Sequence, residues 1–156
     1  MGMDRETLSS MQDMVPLMTE ALAAGRSVRF SPKGGSMLPM LRQGRDSVVL
    51  SPAPERLCKY DIPLYRRDNG KYVLHRIIAV GDTYTCMGDN QFQPEPGIRP
   101  DQIVGVVTGF YREDRQIRVE DPGYRFYCRF WHHSRTVRHF CRRAMGWLRR
   151  HGLLPK

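Results

Sequence analysis

The stretch Lys71-Tyr72-Val73-Leu74-His75-Arg76-Ile77-Ile78-Ala79-Val80, followed by Gly81-Asp82 and then by Thr83-Tyr84-Thr85-Cys86-Met87-Gly88-Asp89-Asn90, decides the fold. Two runs rich in β-branched and aromatic residues flank a tight-turn dipeptide, which is the pattern of an antiparallel hairpin. In a strand over 71–80, Val73, His75 and Ile77 share one face, and Leu74, Arg76 and Ile78 share the other. A simple hairpin centred on Gly81-Asp82 sets Gly88 opposite His75, so Asp89 or a residue of the following loop can approach the imidazole.

The same β-favouring pattern extends outward from this hairpin. Segments 27–31, 46–50, 62–66, 71–80, 83–87, 102–111 and 116–120 all read as strands. Asp68-Asn69-Gly70 supplies a second hairpin turn, since Asn-Gly favours the positive φ of such turns. The middle of the chain therefore reads as an antiparallel meander, closed by Glu120-Asp121-Pro122-Gly123. Residues 5–24 read as a helix, with Leu8, Met11, Met14 or Val15, Met18 and Leu22 on one face and Gly25 as its stop; Pro16 predicts a kink or a late start. Residues 124–156 read as one or two amphipathic helices, with apolar residues at three- and four-residue steps between arginines. The expected fold class is mainly β: an antiparallel domain over 1–123, including the N-terminal helix, and a basic helical tail over 124–156.

Charge separates these two parts. The chain has 156 residues and a formal net charge of +9. Of its 25 Lys and Arg, nine lie in 124–156, where there is no Asp or Glu; the first 123 residues hold 16 basic and 16 acidic side chains. The body is neutral and the tail carries the excess. Cys58, Cys86, Cys128 and Cys141 are scattered, with no Cys-x-x-Cys pair, so reduced thiols are expected rather than a zinc or redox site. No metal or organic cofactor is implied. Acidic residues interrupt the N-terminal segment, and no apolar run is long enough to span a bilayer. The expected location is cytoplasmic, or peripheral on a membrane.

Three islands carry candidate chemistry. Gly35-Ser36-Met37-Leu38-Pro39 offers a serine after paired glycines, whose backbone can approach a bound peptide and leave amides free; those of Gly35 and Ser36 are the expected oxyanion donors. A serine needs a base to react near neutrality, and His75 is the only histidine before residue 123. A lone histidine between aliphatic residues is more often a satisfied core residue. Asp89 in Gly88-Asp89-Asn90 is the nearby carboxylate, although Gly-Asp-Asn alone reads as a turn.

Taken together, the order and spacing of these islands resemble the signal peptidase family of serine peptidases, whose superfamily includes the self-cleaving SOS-type repressors. Gly35–Pro39 resembles the nucleophile box, Lys59-Tyr60-Asp61-Ile62 the start of the next family strand, His75-Arg76-Ile77-Ile78 the general-base box, and Gly88-Asp89-Asn90 the last box. The resemblance covers about residues 26–111. It implies a coiled antiparallel β fold and a serine endopeptidase that cleaves a precursor protein or peptide. Many bacterial members carry lysine where this chain has His75, which instead resembles the archaeal and endoplasmic-reticulum branch. There the acid lies several residues beyond Gly-Asp-Asn, so the resemblance adds Glu95 to Asp89 as a candidate. Gly34 stands where the family often has an oxyanion-assisting serine, which leaves the backbone amides to act.

The implied mechanism is acyl transfer from a peptide carbonyl through Ser36, with His75 as base, and it predicts activity rising with pH as His75 becomes neutral. Lys33 and Lys71 are competing bases. Met37, Leu38 and Met40 are expected in the substrate groove, although such residues more often pack a core. The tail has three readings: a cover for the core, a ligand for an anionic membrane surface, or a nucleic-acid binder, the last being the least expected. The rival function is a non-enzymatic DNA- or peptide-binding regulator on a degenerate peptidase fold. About 26 residues precede the β region, too few for a helix-turn-helix domain, and Ala24-Gly25 lies too close to Ser36 for easy self-cleavage.

Overall fold

The computed structural model describes residues 11–152. Two compact units divide the chain, the first ending at Val119 and the second starting at Glu120. Three helices and two antiparallel sheets make the chain a mixed α/β protein, with helix and strand in similar proportion. This corrects the mainly-β expectation, which fits the first unit only, because the tail is helical almost throughout.

In the first unit, α1 (Met11–Ala23) precedes β1 (Val28–Phe30), β2 (Asp46–Ser51), β3 (Pro63–Arg66) and β4 (Tyr72–Leu74). Then follow β5 (Arg76–Val80), β6 (Tyr84–Met87), β7 (Glu95–Ile98), β8 (Ile103–Arg112) and β9 (Arg115–Arg118). The helix contains Pro16 and ends as expected: Gly25 has φ 74° and its amide donates to the Leu22 carbonyl. Val15, Met18 and Leu22 form its buried face. The reading of 5–10 as helix, including Leu8, falls outside the described residues.

The larger sheet has the order β1-β2-β8-β3-β4, with β9 also paired to β8. It is not a sequential meander. The ten-residue β8 runs through its centre, pairing with β3 through its first half, β2 through its second half and β9 near its end. Shifts in register at Val49/Leu50 and Leu64/Tyr65 bend these strands. The smaller sheet is β5-β6-β7.

The predicted strand 71–80 is broken at His75. Its first part, β4, belongs to the larger sheet and its second, β5, to the smaller. A residue between two sheets has no alternating partner on either, so His75 is positioned by the crossover rather than by a continuous ladder. The Asp68-Asn69-Gly70 turn joins β3 to β4 as expected, with Gly70 at φ 83° and its amide donating to the Arg67 carbonyl. The core lies between the sheets: Tyr65 and Val106 from the larger pack with Ile77, Tyr84, Cys86 and Ile98 from the smaller and with Leu57 of the preceding loop. Buried tyrosines require partners for their hydroxyls. Tyr84 accepts from the Leu57 amide at 3.1 Å, and Tyr65 reaches into the candidate site.

In the second unit, α2 (Pro122–His133) and α3 (Arg135–Arg150) are joined at Ser134. Pro122 occupies the first turn of α2, where its missing N–H costs no helical bond. The Arg138 Nη2 donates to the Trp131 carbonyl at 2.6 Å, and its guanidinium lies 3.6 Å from the Trp131 ring centre. The tail reading of 153–156, including Lys156, lies outside the described residues.

Candidate active site

Ser36 lies in the irregular loop between β1 and β2, followed by a cis Leu38–Pro39 peptide. Two short-range anchors shape this loop. The Gly34 amide donates to Gln43 Oε1 at 2.7 Å, and the Leu41 amide donates to the Met37 carbonyl at 2.9 Å. Among the described residues, no protein acceptor takes the Gly35 or Ser36 amide.

The third island clamps this loop from the other side. The Asn90 amide donates to the Ser36 carbonyl at 2.8 Å, and Asn90 Nδ2 donates to the Gly35 carbonyl at 3.1 Å. Gly88 sits against the same carbonyl: a β-carbon there would lie 2.5 Å from the Ser36 oxygen. The glycine is required by close approach, not by an unusual φ.

His75 and Ser36 line one cavity of about 220 Å³, together with Lys33, Met37, Leu64 and Arg67. His75 is buried. Its Nδ1 lies 3.3 Å from the Tyr65 hydroxyl, which donates to Glu95 Oε2 at 2.8 Å. Glu95 Oε2 is 3.8 Å from Nδ1, beyond a direct hydrogen bond. Arg67 grips the same carboxylate with two bonds of 2.6 Å. The line from ring to acid is therefore His75–Tyr65–Glu95–Arg67. With Nδ1 turned to the tyrosine, Nε2 is the ring nitrogen left for a serine. No hydrogen bond links Ser36 to His75 among the described residues; both line the cavity.

Electrostatics agree with a neutral imidazole. Burial pushes the His75 pKa from 6.5 down to about 4, and the Glu95 charge offsets this only in part. The sequence alone leads to a rise of activity with pH for which a flat profile from pH 5 to 8 counts against His75 as base; burial moves that rise to more acid pH. Burial would raise the Glu95 carboxyl, but the bonds from Arg67 and Tyr65, with the Arg67 charge, outweigh it and hold Glu95 below its usual value. Burial, then the bond to Glu95, pushes the Tyr65 hydroxyl well up, so it stays protonated.

Asp89 is held by the neighbouring arginine. Its two oxygens take Arg76 Nε and Nη2, each at 2.8 Å, in a buried bidentate pair, and Arg76 Nη1 donates to the Tyr60 carbonyl at 3.1 Å. The sequence places Asp89 near His75 because β5 and β6 pair Arg76 with Met87; the adjacent arginine captures the carboxylate first. Glu95 reaches the ring through Tyr65. Met37 lines the cavity, whereas Leu38 and Met40 do not. Met40 is buried, and its carbonyl accepts from Arg112 Nη2 at 2.9 Å. Lys33 is exposed but lines the cavity; Lys71 does not line it.

Tyr65, Arg67 and Arg76 were not anticipated. A signal existed for Tyr65, since a tyrosine within an apolar strand brings a hydroxyl that needs a partner. A second, wider depression of about 770 Å³ follows Asn90 to Pro96 and shares Arg67 and Gln91 with the first. Among the described residues, no three His, Cys, Asp or Glu side chains converge as a metal site. No protein-family model matches the sequence, and no curated protein is significantly similar to it.

Proposed function

We propose that this protein is a serine endopeptidase of the signal-peptidase type, acting on a precursor protein or peptide. One observation carries the reading: a serine on a clamped glycine loop and a buried, neutral histidine face the same cavity, with a carboxylate behind the histidine. The reading also rests on the order of the three islands in the sequence.

In this reading His75 Nε2 takes the proton from Ser36 Oγ as that oxygen attacks a peptide carbonyl. The Gly35 and Ser36 amides receive the developing oxyanion. The imidazolium then gives its proton to the departing amine, and water, activated by the same ring, releases the acyl group. The positive charge that forms on the ring is stabilised through Tyr65 by Glu95, which Arg67 holds ionised. The resemblance implies small side chains before the scissile bond, and the wider depression beside the cavity offers space for more of the peptide chain.

The test is cleavage of a peptide library in which small residues are fixed before the scissile bond. Turnover is expected in the wild type and its loss in Ser36→Ala and His75→Gln, with Lys33→Met retaining activity. Turnover that survives His75→Gln but disappears in Lys33→Met would reassign the base. Selective peptide binding without turnover would instead favour a non-enzymatic peptide-binding regulator.

A further inference from the structure

The helical tail carries a second, separable property. At about 100° per residue, Trp147, Phe140, Ala144, Val137, Leu148, Cys141 and Met145 of α3 occupy one arc of about 160°. All six of its arginines, with His139, fall in the opposite arc. The apolar arc is open to solvent: Phe140 is 72% exposed, Val137 65% and Trp147 48%. On α2, Phe126 and Phe130 are also exposed, and their rings stack at 6.1 Å between centres. Arg125 and Arg129 flank that ridge. Residues 124–156 contain no acidic side chain.

We propose that α2 and α3 dock in the plane of an anionic lipid bilayer. Charge and shape both select this occupant. An interfacial helix needs an apolar face to enter the acyl boundary and cations on the other face to meet phosphate headgroups, and α3 presents both along its whole length. Aromatic side chains, Trp above all, favour that depth. A nucleic acid would engage the arginines but leaves the exposed Phe, Val and Trp arc without a role. No described helix is long and apolar enough to cross a membrane.

The experiment uses the full chain and vesicles of phosphatidylcholine, with or without about one-third phosphatidylglycerol. Trp131→Phe leaves Trp147 as the single tryptophan reporter. The expected result is flotation with the anionic vesicles only, with a blue shift of Trp147 emission and quenching by brominated acyl chains. In the wild-type background, Phe140→Ala with Trp147→Ala should weaken partitioning about tenfold or more, helicity by circular dichroism being retained. Flotation unchanged by the double variant, or no flotation at all, would overturn the proposal. So would steeply salt-dependent duplex DNA binding without vesicle binding. Peptidase activity is read separately, so failure here leaves the reading of the Ser36 site untouched.

Discussion

Gly88 and Ser36 are in backbone contact: a β-carbon on Gly88 would stand 2.5 Å from the Ser36 carbonyl oxygen. The obstacle is backbone, not the end of a flexible side chain. Gly88→Ala is therefore expected to displace the Ser36 loop relative to β6 and to strain the Asn90 amide bond to Ser36. The expected outcome is a fall in kcat/KM of about 100-fold, since displacements near 1 Å at a reacting atom have that effect. Steady-state kinetics beside a thermal melt check it; activity within twofold of wild type would mean the clamp does not position Ser36.

Tyr65 stands between ring and acid. Tyr65→Phe keeps the ring in the core and leaves the Glu95–Arg67 pair intact, removing only the hydroxyl link. A drop in kcat of about tenfold with KM unchanged is expected, because the lost stabilisation belongs to the charged ring of the transition state. A change confined to KM would place Tyr65 in substrate binding.

Asp89 and Glu95 are expected to separate by phenotype. Breaking the buried Arg76–Asp89 pair with Asp89→Ala strands a buried guanidinium and should cost about 3–5 kcal/mol of stability. Glu95→Gln acts on a half-exposed pair and should cost less stability, but lower kcat by about 100-fold. Paired denaturant and kinetic measurements decide it. The opposite pattern would return the orienting role to Asp89.

The pH dependence follows from burial. With the folded His75 pKa at about 4 instead of 6.5, the base is already neutral at pH 5. The expected kcat/KM profile is flat from about pH 5.5 to 8 and falls only toward pH 4. Stability carries the same signature. Between about pH 4 and 6.5 the unfolded chain holds a proton that the folded chain does not, so stability rises with pH across that window and falls as acid is added. The contribution is on the order of 3 kcal/mol. His75→Gln should remove that part of the acid limb in chemical denaturation series; an unchanged limb would show that the ring is hydrated and titrates normally.

The hairpin register was legible in the sequence, partly through a cancellation. The loop has three residues, since Val80 pairs with Tyr84, but a bulge between Ile77 and Ala79 restores the pairing of Arg76 with Met87. Two features were hidden. Strand β7 contains Pro96 and a Gly97 at φ 81°, which read as loop, yet a short strand paired to β6 tolerates both. The break at His75 could not be read either, because Tyr72–Val80 is uniformly β-favouring and only long-range pairing with two different sheets splits it. The three islands do converge, but with altered roles: Gly88 and Asn90 hold the serine loop, Asp89 holds an arginine, and the tyrosine that reaches the histidine comes from β3.

The most direct measurement is covalent labelling of the folded chain with an acylating serine probe, mapped by mass spectrometry, in the wild type, Ser36→Ala and His75→Gln. One acyl group on Ser36 in the wild type, none in Ser36→Ala and acylation slowed by about 100-fold or more in His75→Gln is the expected result. Labelling at another serine, or acylation of Ser36 at the wild-type rate in folded His75→Gln, would contradict the assignment of Ser36 and His75 as nucleophile and base.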